Sequence, residues 1–236
     1  MKKTFKIIAT TGKYLIQNRQ VDLISPITRQ LWANEVLDIL DLKLTTDGEV
    51  SKQKPLIIVC NHSSYLDIPI LMSKIEGSVF ISKAELLRWP IFGPASKKIE
   101  TVFVQRNSKD SRSKAREEII QQLIKNQKRI VVFPSGTTTL GEELFWNKGI
   151  FEIANHYSIQ VQAARISYSH PRVAAYIDED QFLYHLLNLS QEPPLRAQVE
   201  FHKPILIKNL MSDLEYLRLW CSKTATVSPS IFKTAT

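Results

Sequence analysis

Four short apolar runs, separated by stretches long enough for helices, constrain the fold of this chain more than any other feature. They lie at residues 55–60, 78–82, 101–104 and 129–133, and Ile and Val dominate them. Turn formers or polar residues bound each run. A β-branched run this short reads as a strand buried on both faces of a sheet. Residues 109–128, between the last two runs, carry Ile119, Ile120, Leu123 and Ile124 on one helical face. Strand and helix in alternation build a parallel sheet with helices packed against it. Further on, residues 147–156, 180–189 and 210–222 read as helices. Residues 160–166, 172–177 and 196–202 read as strands, the last ended by Pro204. The expected fold is α/β, a single domain with a mixed, mostly parallel central sheet flanked by helices. It should occupy residues 49–223, between an amphipathic helical segment at 1–48 and a frayed tail at 224–236.

The N-terminal segment has two readings. Its first 20 residues carry Lys2, Lys3, Lys6, Lys13 and Arg19 and no acid, interleaved with Phe5, Ile7, Ile8, Tyr14, Leu15 and Ile16. Ile27, Leu31, Trp32, Val36, Leu37, Ile39 and Leu40 follow at roughly helical spacing. Such a pair of helices can lie on an anionic membrane surface, or it can pack on a core with a solvated basic face. A cleaved signal is not expected, because Lys6 and Gly12-Lys13 interrupt the apolar region. No apolar run approaches the ~18 residues of a membrane-spanning helix.

Charge and composition narrow the partners. A net charge of +8 suits an anionic surface or ligand. Residues 97–129 hold ten Lys or Arg and four acids, but Phe103 is the only aromatic among them, so no nucleic acid is expected. Cys60 and Cys221 cannot build a disulfide framework, and the five histidines are scattered, so no metal is expected. GxGxxG and GxxxxGK[ST] phosphate loops are absent.

Polar signals follow three of the strands, where ligands gather in open α/β sheets. After Cys60 comes Asn61-His62-Ser63-Ser64-Tyr65-Leu66-Asp67-Ile68-Pro69. Pro69 is tolerated only in a first helical turn, so the helix should start near 64–67, with His62 in the turn before it. Asp67 could then fold back on the imidazole, making a general base of His62. Alternatively Asp67 is an N-cap, a role that Asn at 67 would preserve, or the acid of a capping box with Ser64. Arg106, after the third run, is a candidate anion clamp. The fourth run enters Phe133-Pro134-Ser135-Gly136-Thr137-Thr138, a turn whose freed amides can face an anion.

The motifs in order are Asn61-His62-x4-Asp67, then Lys83-Ala84-Glu85-Leu86 with Pro90-x-x-Gly93, then Phe103-Val104-Gln105-Arg106. Phe133-Pro134-x-Gly136-Thr137 and Trp146-Asn147-Lys148-Gly149 follow. Together they resemble the glycerolipid acyltransferase family, which contains the 1-acyl-glycerol-3-phosphate acyltransferases. The resemblance covers roughly residues 50–207. It implies transfer of a fatty acyl group from acyl-CoA or acyl carrier protein to the free hydroxyl of a lysolipid, with no cofactor and no covalent acyl-enzyme. By the same resemblance His62 is the general base and Asp67 orients it. Arg106 meets acceptor phosphate with Lys83 assisting, and Ser135, Gly136, Thr137 and Thr138 help hold the head group. A peripheral protein on the cytoplasmic side of the membrane is implied.

The chain departs from the family's third motif. Ser135 stands where Glu is usual and Thr138 where Arg is common. The expected acceptor is 1-acyl-glycerol-3-phosphate-like or another lysophospholipid or lyso-aminolipid, and the two departures weigh toward a head group other than that of lysophosphatidic acid. The alternatives are a weakly active or inactive relative, or a serine esterase with Ser135 as nucleophile. The last lacks both glycines of a G-x-S-x-G elbow, since Phe133 and Thr137 replace them.

Overall fold

The computed structural model describes residues 2–105, 107–140, 145–177, 180–189 and 194–222. Helices α1 (Lys2–Gln17) and α2 (Pro26–Leu40) lead into β1 (Lys43–Asp47), β2 (Leu56–Cys60), α3 (Asp67–Lys74) and β3 (Ser78–Lys83). A 3₁₀ turn (Ala84–Arg88), α4 (Phe92–Lys98), β4 (Val102–Val104), α5 (Lys109–Ile120) and β5 (Arg129–Val132) follow. The chain continues through α6 (Gly149–His156), β6 (Gln160–Tyr168), α7 (Pro171–Ala174) and α8 (Phe182–Leu189). It closes with β7 (Arg196–Phe201), β8 (Ile205–Leu206) and α9 (Leu210–Ser222).

Among the described residues the strands form one sheet in the order β1-β7-β6-β2-β5-β3-β4, with β8 beside β6. All pairs are parallel except those of β6 with β7 and β8, so the sheet is mixed and mostly parallel, as expected. Its central strand, β2, is apolar throughout and wholly buried. Alternation divides its side chains between two cores. Leu56, Ile58 and Cys60 join residues of α1, α2, α3 and α8 on one face. Ile57 and Val59 join residues of α5, α6 and α9 on the other.

Two sequence expectations need correction. Residues 43–47, placed within a helical segment, form β1, which pairs in parallel with β7. Its pattern KLTTD is almost wholly exposed, so no apolar signal marks it, and only the partner strand makes it one. Residues 172–177, read as a strand, begin instead as the short helix α7. Pro171 supplies the fixed φ of a first helical position, and Ala174 is buried beneath the turn. The tail at 224–236 lies outside the described residues.

The N-terminal helices pack on the core and leave a basic, partly apolar stripe exposed. Ser25 caps α2 by accepting the Thr28 amide at 3.2 Å, with Pro26 at the first helical position. Ile7, Ala33, Val36, Leu37 and Leu40 are part of the core. The outward stripe of α1 runs Lys2, Phe5, Lys6, Ala9, Lys13, Ile16, which alternates cations with apolar side chains at helical spacing. Ile27 and Leu31 of α2 are likewise exposed rather than buried.

One buried charge fastens α2 to the sheet. The Arg29 guanidinium, 4% exposed, donates to Glu100 Oε2 at 2.7 Å and to the carbonyls of Ile24 and Ile99. Lys128 reaches the same Glu100 oxygen at 3.2 Å. Burial raises the Glu100 pKa, but the bonds from Arg29 and Lys128 outweigh it and hold the carboxyl below its usual range. Glu100→Gln is expected to cost roughly 3 kcal/mol, because it strands a buried guanidinium. A depressed folded-state pKa adds stability above the unfolded value, which is lost as pH falls through the folded one. Wild type should therefore lose part of its margin over Glu100→Gln below about pH 4.5. Urea unfolding of both proteins at pH 7 and pH 4 measures this, and an equal margin at the two pH values contradicts it.

Candidate active site

β2 delivers its C-terminal end into a turn held from three sides. The Asn61 side chain extends the sheet ladder toward β6, donating to the Ile166 carbonyl at 2.9 Å and accepting the Ile166 amide at 2.8 Å. The His62 carbonyl accepts the Thr139 amide at 2.8 Å, and the Ser63 carbonyl accepts the Tyr176 amide at 2.9 Å. Loops after β5 and after β6 thus grip the turn before α3. Pro69 falls in the first turn of α3, as its chemistry requires.

Asp67, the first residue of α3, folds back under this turn. Its Oδ2 accepts His62 Nδ1–H at 2.8 Å and the amides of Ser63 and Ser64 at 2.9 and 3.0 Å. Its Oδ1 accepts the Tyr168 hydroxyl at 2.6 Å. The carboxylate is 0% exposed and the imidazole side chain 16%. Asp67 folds back on the histidine, and it ties the Ser64 amide as a capping-box acid would, but it is not the N-cap of α3, a position that Leu66 takes with no side-chain cap bond. A carboxylate can only accept, so Nδ1 carries the proton and the lone pair sits on Nε2. The ring stacks on Phe133 with centroids 3.9 Å apart and an interplanar angle of 16°, which fixes its plane. Such a ring can take a proton from a hydroxyl brought to Nε2.

His62 lines a cavity of about 480 Å³, otherwise walled mostly by apolar side chains. Ile7, Trp32, Val36 and Leu40 of α1 and α2 contribute to that wall, as do Phe80, Leu86, Trp89 and Ile99. Sequence reading gave the N-terminal helices a surface or a packing role, and here they also shape the cavity. Near His62 the wall becomes aromatic. Phe182 packs against Tyr65, Trp89 and Phe92, with centroids 4.8–5.2 Å apart. The Tyr65 hydroxyl meets His185 Nδ1 at 3.0 Å. Burial raises the Tyr65 pKa and lowers that of His185, so both are neutral near pH 7.

The remaining expected site residues divide. Lys83, Gly136, Thr137 and Thr138 line the same cavity as His62. Gly136 takes φ 72° at the close of a turn, donating its amide to the Phe133 carbonyl at 2.9 Å. Ser135 does not line the cavity, and its hydroxyl donates to the Thr137 carbonyl at 2.9 Å. A nucleophilic Ser135 would need to face the cavity beside His62, so the arrangement disfavours the esterase alternative. Arg106 lies outside the described residues. Tyr168 was missed by sequence reading, and an aromatic at the end of a buried strand gives no sign that its hydroxyl reaches Asp67.

Residues 41–167 match the family model described as Acyltransferase. The chain is 32% identical over 190 residues to the lyso-ornithine lipid O-acyltransferase of Pseudomonas aeruginosa, covering 77% of this chain and 72% of that protein. It is 30% identical over 136 residues to the 1-acyl-sn-glycerol-3-phosphate acyltransferase of Neisseria meningitidis, covering 56% of this chain and 52% of that protein. The fold matches the crystal structure of the 1-acyl-sn-glycerophosphate acyltransferase of Thermotoga maritima with a TM-score of 0.65. That match covers 98% of this chain and 91% of the other, at 22% identity. A matching family model over half the chain, a relative this similar and a shared fold agree, and the chain belongs to the acyltransferase family.

Proposed function

We propose that this protein transfers a fatty acyl group from a thioester, acyl-CoA or acyl carrier protein, to the hydroxyl of a lyso-aminolipid acceptor. The observation that carries the reading is the His62–Asp67 pair at the wall of a largely apolar cavity. The acceptor hydroxyl approaches Nε2 and attacks the thioester carbonyl as the imidazole takes its proton. The tetrahedral intermediate collapses, the C–S bond breaks, and the leaving thiolate takes the proton back from the imidazolium. Asp67 supports the transient charge on the ring. The apolar wall suits an acyl chain, which gains roughly 0.8 kcal/mol per buried methylene. Among the described residues Lys83 is the cation on that wall, and it suits an anionic part of either substrate.

Similarity to a lyso-ornithine lipid O-acyltransferase supports the choice of acceptor, as does the neutral Thr138 on the cavity wall. A charge-assisted bond contributes about 1.5–3 kcal/mol. A site without the family's Arg should therefore forgo roughly ten- to a hundred-fold in affinity for a phosphomonoester. The test is a panel of lyso-ornithine lipid, lysophosphatidic acid and lysophosphatidylcholine with labelled acyl-CoA and acyl carrier protein, run beside Thr138→Arg. Wild type should favour lyso-ornithine lipid. Thr138→Arg should move the ratio of specificity constants toward lysophosphatidic acid by about tenfold. A wild type that prefers lysophosphatidic acid overturns the acceptor, and no transfer to any of them overturns the reaction.

Peripheral attachment to an anionic membrane completes the proposal. Among the described residues no helix is long and apolar enough to cross a membrane. The outward stripe of α1, with Phe5 73% exposed between Lys2 and Lys6, suits the interface of an anionic bilayer. Each cation near such a surface contributes about 1 kcal/mol. Changing Lys2, Lys6 and Lys13 together to Gln should thus weaken binding to phosphatidylglycerol-containing vesicles by roughly a hundredfold. These side chains are exposed, so the fold should survive, as it would not if α1 and its core residues were deleted. Unchanged vesicle sedimentation contradicts the proposal.

A further inference from the structure

Tyr168 ends β6 on the face of the sheet that carries Cys60, Ala164 and Ile166, and it is buried. Its hydroxyl reaches across to α3 and donates to Asp67 Oδ1 at 2.6 Å. The other three donors to this carboxylate, His62 Nδ1–H and the amides of Ser63 and Ser64, all converge on Oδ2. A carboxylate turns on a soft, broad torsion, so contacts at one oxygen leave its plane poorly fixed. A donor at the second oxygen makes the grip two-sided.

We propose that Tyr168 is a positioning residue of the His62–Asp67 pair, holding the Asp67 carboxylate plane so that Oδ2 faces His62 Nδ1 and setting how strongly the imidazole binds its proton. Burial, and then the Asp67 carboxylate, raise the Tyr168 pKa well above its ordinary value, so the hydroxyl stays a neutral donor. A donor on Oδ1 draws negative charge from the carboxylate. Removing it concentrates that charge on Oδ2 and favours the imidazolium. The other titratable groups around the pair are Cys60 at the end of β2, Tyr65 in the same turn, Tyr176 after α7, and Lys83 and Glu85 after β3. Of these, Cys60 also acts on the Tyr168 hydroxyl, and Ser64 bonds to that hydroxyl through its side chain.

The proposal rests on the acyltransferase reading only for the reaction assayed. Tyr168→Phe removes one oxygen and keeps the ring, and thermal unfolding reports whether the fold survives. The main readout is NMR titration of the His62 imidazole, which needs no turnover. Tyr168→Phe should move that titration upward. The acid limb of the kcat/KM profile should move up with it. At pH 7, kcat should fall about tenfold with KM for both substrates unchanged. Site-specific 3-fluorotyrosine at 168 keeps the hydroxyl and makes it a stronger donor, so it should move the titration the opposite way. It also decides the matter if Tyr168→Phe does not fold. A His62 titration that moves in neither variant overturns the proposal, as does a loss confined to KM or to thermal stability. A wild type that transfers no acyl group overturns the reaction instead, and the His62 titration still decides the role of Tyr168.

Discussion

His62→Ala is expected to lower acyl transfer by roughly 10²–10⁴-fold, the value of a general base, with the fold retained. The ring sits on the cavity wall and its main packing partner is Phe133, so its loss enlarges an existing space rather than opening a sealed core. Asp67 keeps three donors, the amides of Ser63 and Ser64 and the Tyr168 hydroxyl. The buried charge therefore stays satisfied. Single-turnover transfer and circular dichroism separate the two effects. More than a tenth of wild-type turnover in His62→Ala would rule out the assigned base.

Asp67→Asn should behave differently, and the structure reverses what capping chemistry alone suggests. As a plain cap, Asn is as good as Asp. Here both oxygens are committed as acceptors, one to three donors and the other to one. A carboxamide has one oxygen, and its NH₂ can only donate. Turned one way, its NH₂ meets three N–H donors; turned the other, the Tyr168 hydroxyl must accept it and give up its own bond to residue 67, in a site with 0% exposure. Asp67→Asn is expected to lose activity as far as His62→Ala does, and also to lose roughly 1–3 kcal/mol of stability for the unmet buried group. Chemical denaturation beside the transfer assay tests this. A variant as stable as wild type would mean that Asp67 carries less of the turn than its four bonds imply.

Much of the fold was legible because its signals are local. The runs that became β2, β3, β4 and β5 are apolar and β-branched, and each forms where its composition placed it. The start of α3 followed from Pro69, whose ring admits few positions in a helix. β1 was not legible, because an exposed KLTTD becomes a strand only when β7 offers its edge. The two N-terminal helices were legible as helices but not as walls of the cavity, since a stripe of apolar residues does not say what it faces. In the site, His62 and Asp67 share one turn, five residues apart, and could be paired on paper. The third motif could not be divided in the same way, and only the folded loop puts Thr138 on the cavity wall and engages the Ser135 hydroxyl with the Thr137 carbonyl.

The sequence by itself determined the alternation of strands and helices, the turn that brings His62 to Asp67, and the motif order that marks the family. Each of these is encoded in residues close along the chain, where backbone preference and spacing act directly. Only the tertiary structure decided what surrounds that pair. Tyr168 lies 101 residues beyond Asp67, and Leu40 stands 22 residues before His62 on the same cavity wall. Parallel pairing of β2 with β6 and packing of α2 on the sheet bring these groups together. Contacts of that kind depend on where whole strands and helices dock, which follows from burying the two faces of the sheet and leaves no trace in any one segment.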